Sequence, residues 1–232
     1  MFDYNQFVAQ ELHSASQPDR FIKVRTLGLQ DYLVTQAAMQ SLAQLDKDQF
    51  SNQIWLLEHP AVYTQGTSCS QSTLLPSDIP VVKSDRGGQI TYHGPGQLVM
   101  YPLLDLRVFG LGVKALVQAL EETVIRVLSS YDIKGVRRDN APGVYVDGAK
   151  IAALGLRVKN GHSYHGLSFN LSMDLTPFSN IDPCGFQGLK VTSLKHQLEQ
   201  RANKADIQMD SLLDSILDSI GQQVAKTFVS LI

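Results

Sequence analysis

Residues 143–158 read GVYVDGAKIAALGLRV. Two runs of β-forming residues meet at Asp147-Gly148. Such a dipeptide signals a two-residue hairpin, because the type I′ turn needs positive φ at both central positions. One antiparallel pair is therefore written into adjacent sequence. Residues 112–131 predict the clearest helix, with Val113, Leu116, Val117, Leu120, Val124, Val127 and Leu128 on one apolar stripe. Residues 81–107, VVKSDRGGQITYHGPGQLVMYPLLDLR, read as strands and turns punctuated by glycines at 87, 88, 94 and 96. Pro102 places this strand at a sheet edge or at a bulge, since proline cannot donate to a ladder.

Further strands are predicted at 21–27, 54–58 and 164–173. A helix is expected over 31–45, with Leu33, Ala37, Ala38, Leu42 and Leu45 inward, and short helices over 191–198 and 209–224. Residues 1–20 read as a weakly ordered arm with at most one helical turn, and 21–232 as a single catalytic-type domain. Strands and helices alternate without a regular βαβ rhythm. The expected class is therefore α/β (α+β), one domain built on a mixed or mostly antiparallel sheet.

Net charge is −2, from 20 basic and 22 acidic residues, and no basic tract exceeds the pair Arg137-Arg138. A nucleic-acid partner is not expected. Neither a secretory leader nor a membrane span is read from the sequence, and a reducing cytoplasm is the expected compartment. GxGxxG and GxxxxGK[ST] loops are lacking, so neither NAD nor ATP is expected as a cofactor. His93, His162 and His165 with Cys184 do not make a recognised zinc spacing. Asp85, Asp105 and Asp139 specify no acid–base pair by spacing.

Two cysteines occur, Cys69 in GTSCSQST and Cys184 in NIDPCGFQG. Cys69 reads as an ordinary loop residue. Cys184 sits among Asp, Pro and Gly, a loop composition, and loops carry chemistry more often than cores do. Composition leaves it open as an inert buried thiol, a nucleophile, or a metal or disulfide partner. A nucleophile would need a nearby cation, since a free thiol is only a few per cent ionised at neutral pH. Lys150 reads either as an exposed lysine beside a turn or as that cation. Strand alternation sends Lys150, Ala152 and Leu154 to one side.

The segments SDRGGQITYHGPGQLVMYPLLDL, RRDNAPGVYVDGAKIAALGLRV and SYHGLSFNLSMDLTPFSNIDPCG together resemble the lipoyl(octanoyl) transferase family, from about residue 21 to at least 198. The resemblance implies a fold related to the catalytic domains of biotin and lipoate protein ligases, and no cofactor. It implies transfer of an octanoyl group from octanoyl-acyl carrier protein, through a Cys184 thioester, to a target lysine. The acceptors would be lipoyl domains of 2-oxoacid dehydrogenase E2 subunits and the glycine cleavage H protein. Lys150 matches the lysine of a Cys/Lys dyad. Arg86, Gly87, Gly88, Gln89, Ile90, Thr91, Tyr92 and His93 match the acyl-binding segment. Ala153, Leu154 and Gly155, with Gly166, Leu167 and Ser168, match two further pocket segments.

On that reading Gly87, Gly88, Gly155 and Gly166 leave room for the acyl tail, and Tyr92 and Leu154 line it. Backbone N–H groups near Cys184 and at Gly87-Gly88 are candidate oxyanion donors. Arg137, Arg138, Arg157 and Lys159 are candidates for meeting an acidic carrier. The alternatives are an octanoyl amidotransferase between lipoyl-type proteins, an ATP-dependent lipoate-protein ligase, and a carrier-binding module without turnover.

Overall fold

The Asp147-Gly148 turn carries positive φ at both residues, +48° and +85°. It joins β8 (Gly143–Val146) to β9 (Ala149–Lys159). The computed structural model describes residues 3–7, 9–14, 20–69, 77–181, 189–201 and 209–232, with side chains from 219 onward in the last stretch. β1 (Ala9–His13), β2 (Phe21–Leu29), β3 (Gln53–Glu58), β7 (Gln97–Leu103) and β10 (His162–Asn170) complete a seven-stranded sheet, ordered β1-β2-β3-β7-β10-β9-β8. Only the β2–β3 pair in it is parallel, so the sheet is mixed as expected. A second sheet orders β5 (Val81–Lys83), β4 (Val62–Gln65) and β6 (Ile90–His93).

Helix α3 (Val113–Ser129) lays Leu116, Leu120, Val124, Val127 and Leu128 on one face of the large sheet. Val113 departs from the predicted stripe and is exposed. The C-terminal helix α5 (Met209–Val229) contributes Ile220, Val224, Ala225 and Phe228 to the same layer, and runs beyond its expected end. Each Leu, Ile, Val or Phe among them, once fully buried, contributes about 1.5–3 kcal/mol. The opposite face receives α1 (Tyr32–Leu42), where Met39 and Leu42 meet Trp55, Leu57, Val99 and Tyr101. A short helix α2 (Leu106–Phe109) and α4 (Leu194–Arg201) fill the periphery.

Two further expectations are corrected. Helix α1 starts where Asp31 Oδ1 accepts from Val34 N at 2.9 Å, but its buried face is Tyr32, Thr35, Met39 and Leu42, while Leu33 is exposed. The inward stripe contains two polar-headed residues, which hydrophobic periodicity does not count. Pro102 lies in β7, at the middle of the sheet and buried throughout, rather than at an edge. The β7–β10 ladder ends at Leu167↔Met100, and an added Cβ at Gly166 would sit 2.6 Å from Pro102 Cδ. Proline is tolerated because β10 no longer asks for an N–H there. Ser163 Oγ instead donates to Pro102 O and accepts from Leu104 N.

Within residues 1–20, Tyr4–Gln6 form one 3-10 turn and Ala9–His13 pair antiparallel with β2. That edge strand has no counterpart in the sequence reading.

Candidate active site

The β8–β9 ladder pairs Val144 with Ala152 and Tyr145 with Lys150, passing over Ile151. Such a bulge bends the strand locally, but Lys150, Ala152 and Leu154 all line one cavity, the common side to which alternation assigns them; Ile151 and Ala152 also join the main core. Lys150 is 4 % exposed, which removes the reading of a solvated lysine beside a turn. Its Nζ donates to Pro142 O at 3.2 Å and lies 5.2 Å from the centre of the Tyr145 ring.

Lys150 stands on the wall of a cavity between the large sheet and the segment that precedes β6. Arg86, Gly88, Gln89, Ile90, Thr91 and His93 line it from the small-sheet side. Ala153, Leu154 and Gly155 from β9, and Gly166, Leu167 and Ser168 from β10, line the other. Of the expected site residues among those described, Gly87 and Tyr92 are not cavity-lining. Tyr92 packs behind the wall with Tyr63 and Phe178. Cys184 lies outside the described residues.

Arg86, 7 % exposed, spends its guanidinium on protein groups. It donates to Thr64 O, Thr64 Oγ1, Gly87 O and Gln89 O at 2.6–3.0 Å. It folds its own loop into a wall. Gly87 N donates to Leu156 O at 3.0 Å, which commits that N–H to the wall and removes it as an oxyanion donor. Gly155 and Gly166 do not clear space for a ligand as expected, whereas a Cβ on cavity-lining Gly88 would come no closer than 3.6 Å to its neighbours. A Cβ on Gly155 would meet Gly87 O at 2.8 Å, and one on Gly166 would meet the Met100 carbonyl. They permit backbone to approach backbone. Gly155→Ala is therefore expected to push the Arg86–Gly88 segment off the sheet. The cost is about 1–3 kcal/mol, which melting curves would register as a fall of about 2–4 °C per kcal/mol in a chain this long.

A polar layer that the sequence did not reveal meets the cavity through Tyr32, His93, Tyr101 and His165. His165 Nε2 donates to Asp85 Oδ1 at 2.8 Å, and Tyr164 Oη to Asp85 Oδ2 at 2.6 Å. Burial pushes the Asp85 carboxyl up, but these hydrogen bonds outweigh it and hold the group well below the usual carboxylate range. His165 is itself pushed down by burial. Its Nδ1 is buried and bonded to no described group, and its φ is +56°. His59 donates from Nδ1 to Gln30 O at 2.7 Å and accepts from Tyr101 Oη at Nε2, 2.8 Å away. Burial pushes His59 down to about 4. His93 donates to Gln97 Oε1 at 2.7 Å and is held well below its ordinary range, first by burial and then by the His59 and Arg86 charges. Tyr32 Oη is 2.7 Å from Ser84 Oγ. Apart from His93 and Gln97, these partners are far apart in sequence, and their spacing carries no signal.

The cavity is tied to Lys150 through the main chain. Gln97 Nε2 donates to Asn170 Oδ1 and Asn170 Nδ2 to Thr192 O, both at 3.0 Å. Thr192 N donates to Lys150 O at 3.0 Å and Lys150 N to Lys190 O at 2.8 Å. The Lys190–Thr192 segment is thus stitched to the Lys150 backbone. Ile181 and Phe178 pack with Tyr63, and Val191 lies against the same cluster.

Of the basic candidates, Arg137 is bound to Glu121 and Glu122 at 3.1 and 2.8 Å. Arg138 stacks 4.3 Å over the Tyr145 ring. Arg157 and Lys159 are exposed on β9. Cys69 is half-buried against the small-sheet cluster. His162 stacks on Phe50 and sits 3.8 Å from Asp105, so it shares no partner with His165. Among the described residues no helix is long and apolar enough to cross a membrane.

A mixed sheet with its cavity walled by a glycine-rich segment defines the class. Residues 26–221 match the family model of the lipoyl protein ligase A/B catalytic domain. The fold is shared with a putative lipoate protein ligase from T. acidophilum, at TM-score 0.58 and 11% identity over 88% of this chain and 91% of that one. An octanoyltransferase of Pseudomonas putida (strain W619) is 54% identical over 172 residues, 74% of this chain and 80% of the relative. One from Alkalilimnicola ehrlichii is 54% identical over 174 residues, 75% and 81% of the two chains. The chain belongs to the octanoyltransferase family and is an acyltransferase.

Proposed function

We propose that this enzyme takes octanoyl from octanoyl-acyl carrier protein onto Cys184 and passes it to the target lysine of lipoyl domains. The acceptor domains are those of 2-oxoacid dehydrogenase E2 subunits and the glycine cleavage H protein, and the compartment is the cytoplasm. Within the chain, residues 21–232 form the catalytic domain. The observation that supports this reading is that Lys190 and Thr192 are hydrogen-bonded to the backbone of buried Lys150, the only lysine among the described residues that lines the cavity.

In the first half-reaction the Cys184 thiolate adds to the thioester carbonyl. The tetrahedral oxyanion collapses, the C–S bond to the carrier breaks, and the departing thiolate takes a proton. Thioester is exchanged for thioester, so no nucleotide is needed. An ammonium at Lys150 favours the attacking thiolate, because an opposite charge nearby stabilises the ionised form. In the second half the acceptor amine attacks the acyl-Cys184 carbonyl. A C–N bond forms, the C–S bond breaks, and Lys150 relays the proton released by the amine.

The acyl tail lies between Ile90, Val99, Ala153, Leu154 and Leu167. Each buried methylene contributes about 0.8 kcal/mol. Arg138 is the basic residue best placed for the acidic carrier, since it shares the Tyr145 ring with Lys150, whereas Arg157 and Lys159 stand further along β9.

The test is incubation with octanoyl-acyl carrier protein followed by intact mass measurement. The expected result is a gain of one octanoyl group, lost on treatment with hydroxylamine and absent from Cys184→Ala. An unchanged wild-type mass would sink the covalent relay and leave a binding module; octanoyl-adenylate formation from free acid and ATP would point to a ligase.

A further inference from the structure

The seat of Lys150 is built from a short stretch of chain, residues 141–145. Pro142 O accepts from its ammonium, and the Tyr145 ring lies under it. Gly143 has φ +140°, and a Cβ there would stand 3.2 Å from Lys150 Cε and 3.4 Å from Nζ. A side chain at 143 would meet Ala152 O first, at 2.6 Å, and would crowd the Lys150 stem. Something must hold this stretch in place, because a lysine carries four rotatable bonds and its head is no more fixed than its acceptor.

That support comes from α3. Glu121 is 5 % exposed, a rare setting for a carboxylate. Its Oε1 accepts from Gly143 N at 3.0 Å, and its Oε2 accepts from Arg137 Nε at 3.1 Å. Arg137 is held in turn by Glu122 Oε2 at 2.8 Å and by Gln118 O at 3.2 Å. Residue 136, next to Arg137, pairs with Tyr145 through both backbone hydrogen bonds. The carboxylate therefore braces residues 137 and 143 at once, on the two arms that flank the Lys150 seat. Charge-assisted bonds to a backbone N–H are stronger than neutral ones.

We infer that Glu121 is a positioning residue for Lys150, acting through the Pro142–Gly143 peptide and touching neither substrate nor Cys184. The inference rests on the proposed role of Lys150. Removing the carboxylate lets Gly143 shift, and the Pro142 carbonyl, one bond away, moves with it. Glutamine retains an oxygen for Gly143 N, whereas alanine retains nothing and aspartate is one methylene short of spanning both partners.

The experiment is a double-mutant cycle on the rate of octanoyl loading, read by intact mass at saturating octanoyl-carrier protein, with melting temperature recorded for every variant. Glu121→Ala is expected to slow loading about ten-fold with an unchanged KM for the carrier, and Glu121→Gln to stay within about three-fold of wild type. In a Lys150→Ala background, Glu121→Ala should cause no further loss, although its effect on melting persists. Equal losses in both backgrounds would mean a structural role only and would overturn the inference. So would full activity of Glu121→Ala. If Glu121→Ala does not fold, Glu121→Asp substitutes, with a smaller loss that again vanishes without Lys150. Normal loading by Lys150→Ala alone would defeat the dyad reading itself. A slow Lys150→Ala with a normal Glu121→Ala defeats only the present inference.

Discussion

Lys150→Ala is expected to slow octanoyl loading of Cys184 by about a hundred-fold at neutral pH, the range in which a positioned ionisable group acts. Without the neighbouring cation the thiol returns toward about 8.5, and only a few per cent of it is ionised at pH 7. Raising the pH should therefore recover much of the loading rate in the variant but little in wild type. Transfer to the acceptor amine should remain slow at every pH, because that step asks for a proton acceptor and not for a thiolate. Lys150→Arg should not rescue. A guanidinium keeps its proton, so it cannot accept the one that the amine releases, and its planar head replaces a compact ammonium seated on Pro142 O and the Tyr145 ring. Intact-mass time courses between pH 6 and 10 measure all of this. Loading within three-fold of wild type would remove Lys150 from the dyad.

The second large effect is on stability in acid. His59 is held neutral by burial, down to about 4, and His93 well below its ordinary range. In the unfolded chain both titrate near 6.5. A folded-state value below the unfolded one means that the unfolded chain binds more protons, so stability is present above pH 6.5 and is lost as pH falls. For His59 the loss continues to about pH 4 and amounts to about 3 kcal/mol. His93 and His165 act in the same direction, and Asp85 adds to it at still lower pH, since protonation there breaks its bonds to His165 and Tyr164. Protonation of His59 also turns its Nε2 from an acceptor into a donor facing Tyr101 Oη. Melting curves between pH 7.5 and 4.5 should show the melting temperature falling by about 6–12 °C, at about 2–4 °C per kcal/mol. His59→Gln should flatten part of that slope. A melting temperature unchanged from pH 7.5 to 5 would contradict the assignment of neutral buried histidines.

Both results depend on arrangements of different legibility. The hairpin at Asp147-Gly148 and helix α3 could be read directly, because a turn dipeptide and a 3.6-residue stripe report on neighbours in the chain. The motifs around Arg86, Ala153 and Gly166 carried the family resemblance, and the structure gathers most of them on one cavity. What those residues do there was less legible. Gly155 and Gly166 looked like space for a ligand, yet they admit Gly87 and Met100 carbonyls. Arg86 looked like a cleft residue, and it does line the cavity, but its guanidinium is spent on holding its own loop together.

The local elements of this protein, its turns, its amphipathic helix and its strand propensities, follow from residues a few positions apart, and the sequence alone determined them. Tertiary structure alone decided that Pro102 sits mid-sheet, that Lys150 is buried beside a bulge at Ile151, and that Asp85 meets His165 across eighty residues. The reason is physical. A side chain's direction within a strand is set by the register of its neighbours, and a buried polar group is satisfied by whichever partner the packed sheets bring within hydrogen-bonding distance. Neither is encoded by spacing along the chain.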